Sequence, residues 1–165
     1  MSYWTLESKA DIGLRVFSNN LSNLFKETSI GMLQLLTSNE LNPNINGLVR
    51  HTSEWNISID NDGFDDYESL MITWLEEILY RLEVHEEFLI DCQCRISKME
   101  QKLLCESQVS WVKSDQIIRD FEIKAVTSHE FTIRKLKSNE SELSNNPNIP
   151  EMIGPGWICN VLFDI

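Results

Sequence analysis

Basic residues are scarce in this sequence: 14 Lys and Arg stand against 26 Asp and Glu, for a formal net charge of −12. Proteins that grip nucleic acid unaided cluster cations against its phosphates, so autonomous RNA binding is not expected. An acidic surface suits a basic protein partner or a hard cation instead. No apolar run approaches the roughly 18 residues of a membrane-spanning helix, and Met1–Ala10 is too polar and mixed for a secretory signal, so no membrane association is expected and a cytoplasmic location is (nuclear as well in a eukaryote). Cys92, Cys94, Cys105 and Cys159 form no C-x-x-C pair, and only His51, His85 and His129 could assist them. A zinc site is therefore not expected, and the cysteines read as reduced, packed thiols. The six glycines form no phosphate-cradling loop, and G-x-S-x-G and H-E-x-x-H are both missing.

What is present is alternation and helical striping. At 42% hydrophobic residues, the 165-residue chain can bury a core and fits one domain, residues 1–165. Tyr3–Glu7 has strand composition. Ile12, Leu14 and Val16 then alternate with polar or small neighbours as a half-buried strand. Ser18-Asn19-Asn20 offers a helix cap, and Leu21, Leu24, Phe25, Thr28, Met32, Leu35 and Leu36 follow at helical spacing. Residues 38–50 read as a flexible loop, and Trp55, Ile57 and Ile59 alternate again. Asp65 or Asp66 caps a second helix with the stripe Leu70, Met71, Trp74, Leu75, Ile78, Leu79 and Leu82. Strands are expected at Phe88–Cys94, at 121–127 and through Phe131 and Ile133, with a fainter one from Leu103 to Val112. Residues 138–156, rich in Ser, Asn, Glu and Pro, read as a long flexible loop before a closing strand through Phe163. Two amphipathic helices and about six or seven strands imply an α+β two-layer sandwich, the helices packed on a mostly antiparallel or mixed sheet.

For chemistry, the adjacent acids Glu76-Glu77 and Glu86-Glu87 diverge by about 100° on a helix and make no acid/base dyad. Asp11 and Asp164 stand out by position. Asp11 opens one alternating strand and Asp164 closes another, whose Val-Leu-Phe-Asp-Ile end is too apolar to fray freely. Together with oxygens of Ile165 they offer hard ligands for Ca²⁺ or Mg²⁺. On chemistry alone the plainer reading, a capped turn and an exposed acid, stands ahead of a metal site.

Five blocks in order carry a resemblance that reverses this preference. They are Ser8-Lys9-Ala10-Asp11-Ile12-Gly13, Leu21-Ser22-Asn23-Leu24-Phe25, Trp74-Leu75-Glu76-Glu77-Ile78-Leu79-Tyr80, Glu122-Ile123-Lys124-Ala125-Val126-Thr127-Ser128-His129 and Phe163-Asp164-Ile165. The chain resembles the archease family in these blocks. The family's motif before Asp11 is H-T-A-D-I-G, so Ser8-Lys9 departs from it, as does Ser128 where a Tyr is usual.

The resemblance implies a divalent cation (Ca²⁺, Mg²⁺ or Mn²⁺) held by Asp11, Asp164 and Ile165, with Lys124 facing phosphate or guanylate. It implies a role as activator of an RtcB-type RNA ligase in tRNA splicing, promoting ligase guanylylation from GTP and hence multiple turnover. The chain itself would not be an enzyme, and GTP and RNA would be met only through the ligase. Two other classes stay open: a chaperone-like module for another RNA-modifying enzyme, and a metal-dependent hydrolase.

Overall fold

The computed structural model describes residues 2–7, 11–37 and 44–165. The half-motif Ser8-Lys9-Ala10 and residues 38–43 of the first expected loop lie outside them. In chain order the elements are β1 (Tyr3–Glu7), β2 (Asp11–Ser18), α1 (Leu21–Leu36), β3 (His51–Asp60), α2 (Tyr67–Val84), β4 (Glu87–Met99), β5 (Lys102–Lys113), β6 (Ala125–Leu136), β7 (Ser141–Glu142), β8 (Met152–Ile153) and β9 (Gly156–Asp164).

Every strand pairing among the described residues is antiparallel. The strands divide into a four-stranded sheet, β1-β2-β9-β6, a three-stranded sheet, β3-β5-β4, and the small ladder β7-β8. Both helices pack on both larger sheets: α1 lies on β2, β9 and β4, and α2 on β6, β3, β4 and β5. The fold is thus the expected α+β arrangement of two helices on antiparallel strands, with the strands shared between two sheets.

Local chemistry explains the helices. Asn20 Oδ1 accepts the Asn23 N–H at 2.9 Å, and Asp66, not Asp65, caps α2 by accepting the Ser69 N–H at 2.9 Å. All seven stripe residues of α2 are buried. Two polar groups between the helices satisfy each other, as buried polar groups usually do. Ser29 Oγ donates to the Phe25 carbonyl at 2.6 Å and takes the Trp74 indole N–H at 2.8 Å, which ties α2 to α1.

Three strands differ from their sequence pattern. In β4 the register shifts between Leu89 and Asp91, so Phe88 and Leu89 are both buried and the alternation breaks. β5 runs for 12 residues as the centre of its sheet. Its inward row includes Ser107, which blurred the apolar pattern. Residues 121–124 are not strand: β6 begins only at Ala125. The preceding segment turns its backbone toward the end of α1, where the Asp120 N–H meets the Leu36 carbonyl at 2.8 Å.

The last strand, β9, lies between β2 and β6 and is buried on both faces. Cys159, Val161 and Phe163 sit in the main core under the helices. On the other face Ile158 joins Leu136, Ile149 and Met152, flanked by Trp4, Leu6 and Phe17. Ile149 and Met152 come from the stretch expected as a long loop, which carries β7 and β8 and covers the outer face of this sheet.

Candidate functional site

The two acids singled out by position meet at one end of the four-stranded sheet. In the β2–β9 register Asp11 stands directly opposite Asp164, and on the far side Asp164 faces Ala125 of β6. Registered residues share a face, so both carboxylates leave the sheet on the side away from the helices, the side of Ile158 and Leu162. Asp11 is half-buried and Asp164 exposed. Like charges directly opposite on neighbouring strands repel. Here Ala125 completes the row with only a methyl group.

Lys124 adjoins this row. Its backbone N–H donates to the Asp164 carbonyl at 2.7 Å, and its Nζ lies 3.4 Å from the Ile165 carbonyl oxygen. All four residues named from the sequence, Asp11, Asp164, Ile165 and Lys124, therefore gather at one sheet end. Ile165 is 41% exposed, so it stands at the surface and not in the core.

The local backbone needs the motif's glycine. A Cβ on Gly13 would lie 2.7 Å from the Val161 carbonyl oxygen and 2.6 Å from Leu162 Cδ2. Only glycine lets β2 approach β9 this closely, and that approach aligns Asp11 with Asp164. One further row of the same face is polar. Arg15 Nε donates to Asn160 Oδ1 at 2.8 Å, and Asn160 Nδ2 donates to Thr132 Oγ1 at 3.1 Å. Arg15 sits four residues, about 13 Å, along the strand from Asp11. Neither Ala125 nor Arg15 stands out in the sequence as a site residue: which residue completes a row depends on strand order, and local pattern does not encode that.

As a donor set for a divalent cation the row is consistent but lean. Two carboxylates and main-chain oxygens are hard ligands of the kind Ca²⁺ and Mg²⁺ take. Among the described residues no three His, Cys, Asp or Glu side chains gather as a metal-holding group, so waters and Ile165 oxygens must complete any shell. The Lys124 ammonium at the Ile165 oxygen would have to turn away for that oxygen to join. The histidines lie elsewhere. His51 stacks on Trp111 with centroids 4.4 Å apart, His85 meets Tyr80 edge-on at 5.2 Å, and His129 is exposed beside Glu130.

The fold and this acid row define a small α+β protein with a two-carboxylate tip. Comparison with known proteins gives that class its family. Residues 3–165 match the model of the "Archease protein family (MTH1598/TM1083)", and the chain belongs to this family. It is similar to "Protein archease" of Pyrococcus furiosus, 25% identical over 132 residues covering 79% of this chain and 86% of the relative. It is likewise similar to "Protein archease" of Methanosarcina acetivorans, 25% identical over 166 residues covering 99% of this chain and 95% of that one. The solution structure of Methanobacterium thermoautotrophicum protein 1598 shares the fold, with a TM-score of 0.65 at 18% identity over 99% of both chains. The name these relatives carry specifies no catalysed reaction. No described helix is long and apolar enough to cross a membrane.

Proposed function

We propose that this chain activates an RtcB-type RNA ligase, acting on the enzyme and not on RNA, in the joining of tRNA halves. The observation that carries the reading is the pairing of Asp11 with Asp164 across β2 and β9 in a chain of the archease family. Two carboxylates held face to face by backbone register repel each other, and a cation between them would turn that repulsion into binding.

Asp11, Asp164 and oxygens of Ile165 would hold the divalent cation, Ca²⁺, Mg²⁺ or Mn²⁺, whose chemistry is to neutralise and align phosphate oxygens. The chain's own residues do the rest. The β2–β9 ladder fixes the backbone positions from which both carboxylates rise, so less ordering entropy remains to be lost on docking. Lys124, anchored through its N–H to the Asp164 carbonyl, offers an ammonium beside the acids for triphosphate or guanylate oxygens. The net charge of −12 favours approach to a basic active-site mouth that otherwise receives RNA. In this reading the chain speeds charging of the ligase with guanylate from GTP, and the covalent chemistry stays with the ligase.

The test is product per ligase. With cognate ligase, GTP and cleaved tRNA, the intact chain should give many ligations per enzyme, and Asp11→Asn or Asp164→Asn should return the reaction to about a single turnover. An intact chain that leaves the ligase at a single turnover would sink the proposal. Phosphoester hydrolysis by the chain alone would favour a metal-dependent hydrolase. Stimulation of an RNA-modifying enzyme other than the ligase would favour a chaperone-like module.

A further inference from the structure

All four cysteines are free thiols, and three of them converge on the inner face of the three-stranded sheet. Cys92 and Cys94 are two apart on β4, so their side chains share a face. The β4–β5 register sets Ser107 opposite Cys94 and Cys105 opposite Ile96, one step further along that face. The Cys92 and Cys94 sulfurs lie 3.9 Å apart. The Ser107 hydroxyl donates to Cys94 Sγ at 3.1 Å and lies 3.5 Å from Cys105 Sγ. Cys92, Cys105 and Ser107 are buried, while Cys94 is half-buried on an edge strand. From α1, Lys26 pairs with Asp91 at 3.3 Å beside the cluster.

This is an odd way to fill a core. Apolar side chains would fill the space without polar atoms, yet here one sulfur is ringed by a hydroxyl and two thiols. Hydrogen bonds to a thiolate favour the charged form. Bonds with Cys105 and Cys92 draw the Cys94 thiol well below the ordinary thiol range; burial opposes them, and Ser107 and the Lys26 charge assist. The same bonds, with burial, push Cys92 and Cys105 up, and the nearby Asp91 and Glu106 carboxylates add to this. The cluster thus favours negative charge on Cys94 over its two neighbours.

We propose that Cys94 is a modification site, a nucleophilic sulfur cradled by Cys92, Cys105 and Ser107 that reacts with hydroperoxides. Its sulfur attacks one peroxide oxygen. The S–O bond forms as the O–O bond breaks, the sulfur is oxidised by two electrons to a sulfenic acid, and the peroxide is reduced to an alkoxide. That alkoxide takes a proton from water and leaves as the alcohol. Cys92 and Cys105, closed to solvent, are shielded from the same oxidant.

The full-length chain tests this without a ligase. Pulse labelling with iodoacetamide, read per cysteine by peptide mass spectrometry, should modify Cys94 at least about tenfold faster than the other three at pH 7. Its rate should change less than about twofold between pH 7 and 9, where an ordinary thiol with a pKa near 8.5 speeds up by more than tenfold. Substoichiometric hydroperoxide with a sulfenic-acid trap should tag Cys94 first. Ser107→Ala or Cys105→Ser should restore a steep pH profile, and the wild-type profile decides the matter if either variant melts. A Cys94 rate no faster than the others, a rise above tenfold from pH 7 to 9, or first tagging of another cysteine would each overturn the proposal.

Discussion

Single atoms decide how this protein is held together. Gly13 is the clearest case, because the atom facing its absent Cβ is a main-chain oxygen of Val161 that cannot rotate away. Gly13→Ala should destabilise the chain by about 1–3 kcal/mol, the usual cost of overpacking, read as a lower urea midpoint with unchanged slope. It should also spread Asp11 from Asp164 and weaken any cation binding beyond the loss in stability. Cys159 sets a different limit. It is fully buried, and burial pushes its thiol above the ordinary thiol range up to about 12. The unfolded chain therefore releases this proton first, and unfolding becomes easier as pH rises from about 9 to about 12. Stability should be intact below pH 9 and fall by up to about 4 kcal/mol across that window, since each unit of difference is worth about 1.4 kcal/mol. Denaturant titrations of wild type and Cys159→Ala at pH 8, 9.5 and 11 isolate the contribution, because the variant lacks this one slope. Parallel slopes would show that Cys159 ionises as readily folded as unfolded.

Elements differ in how plainly the sequence announces them. α2 was legible to the residue: each of its seven stripe positions is buried, because a helix facing a sheet needs a continuous apolar row and little else shares that spacing. β9 was legible as a strand, and its burial on both faces follows from apolar residues at Ile158 and Leu162 on the side opposite Cys159 and Val161. Patterns failed where pairing overrides local composition. The β4 bulge, the Ser107 in the inward row of β5 and the late start of β6 depend on neighbouring strands that a single-strand pattern cannot see. The stretch 138–156 misled for another reason. Its Ser, Asn and Pro are real loop signals, yet Ile149 and Met152 within it bury 96% and 97% of their surface and form the lid of the second core. If that lid supports β9, Ile149→Ala and Met152→Ala should each cost about 2–5 kcal/mol, as core truncations do. Thermal melts check this, and losses below about half a kcal/mol, as for surface sites, would show that the lid contributes nothing. The acid row shows the same division: Asp11 and Asp164 were legible from position, whereas Ala125 became part of it only through strand order.

The whole molecule joins residues from opposite ends of the chain, since β2 and β6 both pair with β9 and only the last ten residues complete the four-stranded sheet. Removing that strand would abolish the fold along with the site, so point substitutions at Asp11 and Asp164 are the informative ones. Charge acts at this scale too. A molecule of net charge −12 with its acid pair at one end of a sheet approaches a basic surface through long-range attraction, which salt screens over about 8 Å at physiological ionic strength. If the proposed docking on a basic ligase mouth holds, raising salt from about 50 to about 500 mM should slow association about tenfold or more while dissociation changes little, since steering acts on encounter and short-range contacts govern release. Asp11→Asn and Asp164→Asn remove at most two of many negative charges, so they should leave most of this salt dependence in place while turnover collapses. Stopped-flow association with surface-immobilised dissociation measures both rates. An association rate indifferent to salt would mean that the acidic surface plays no part in finding the ligase.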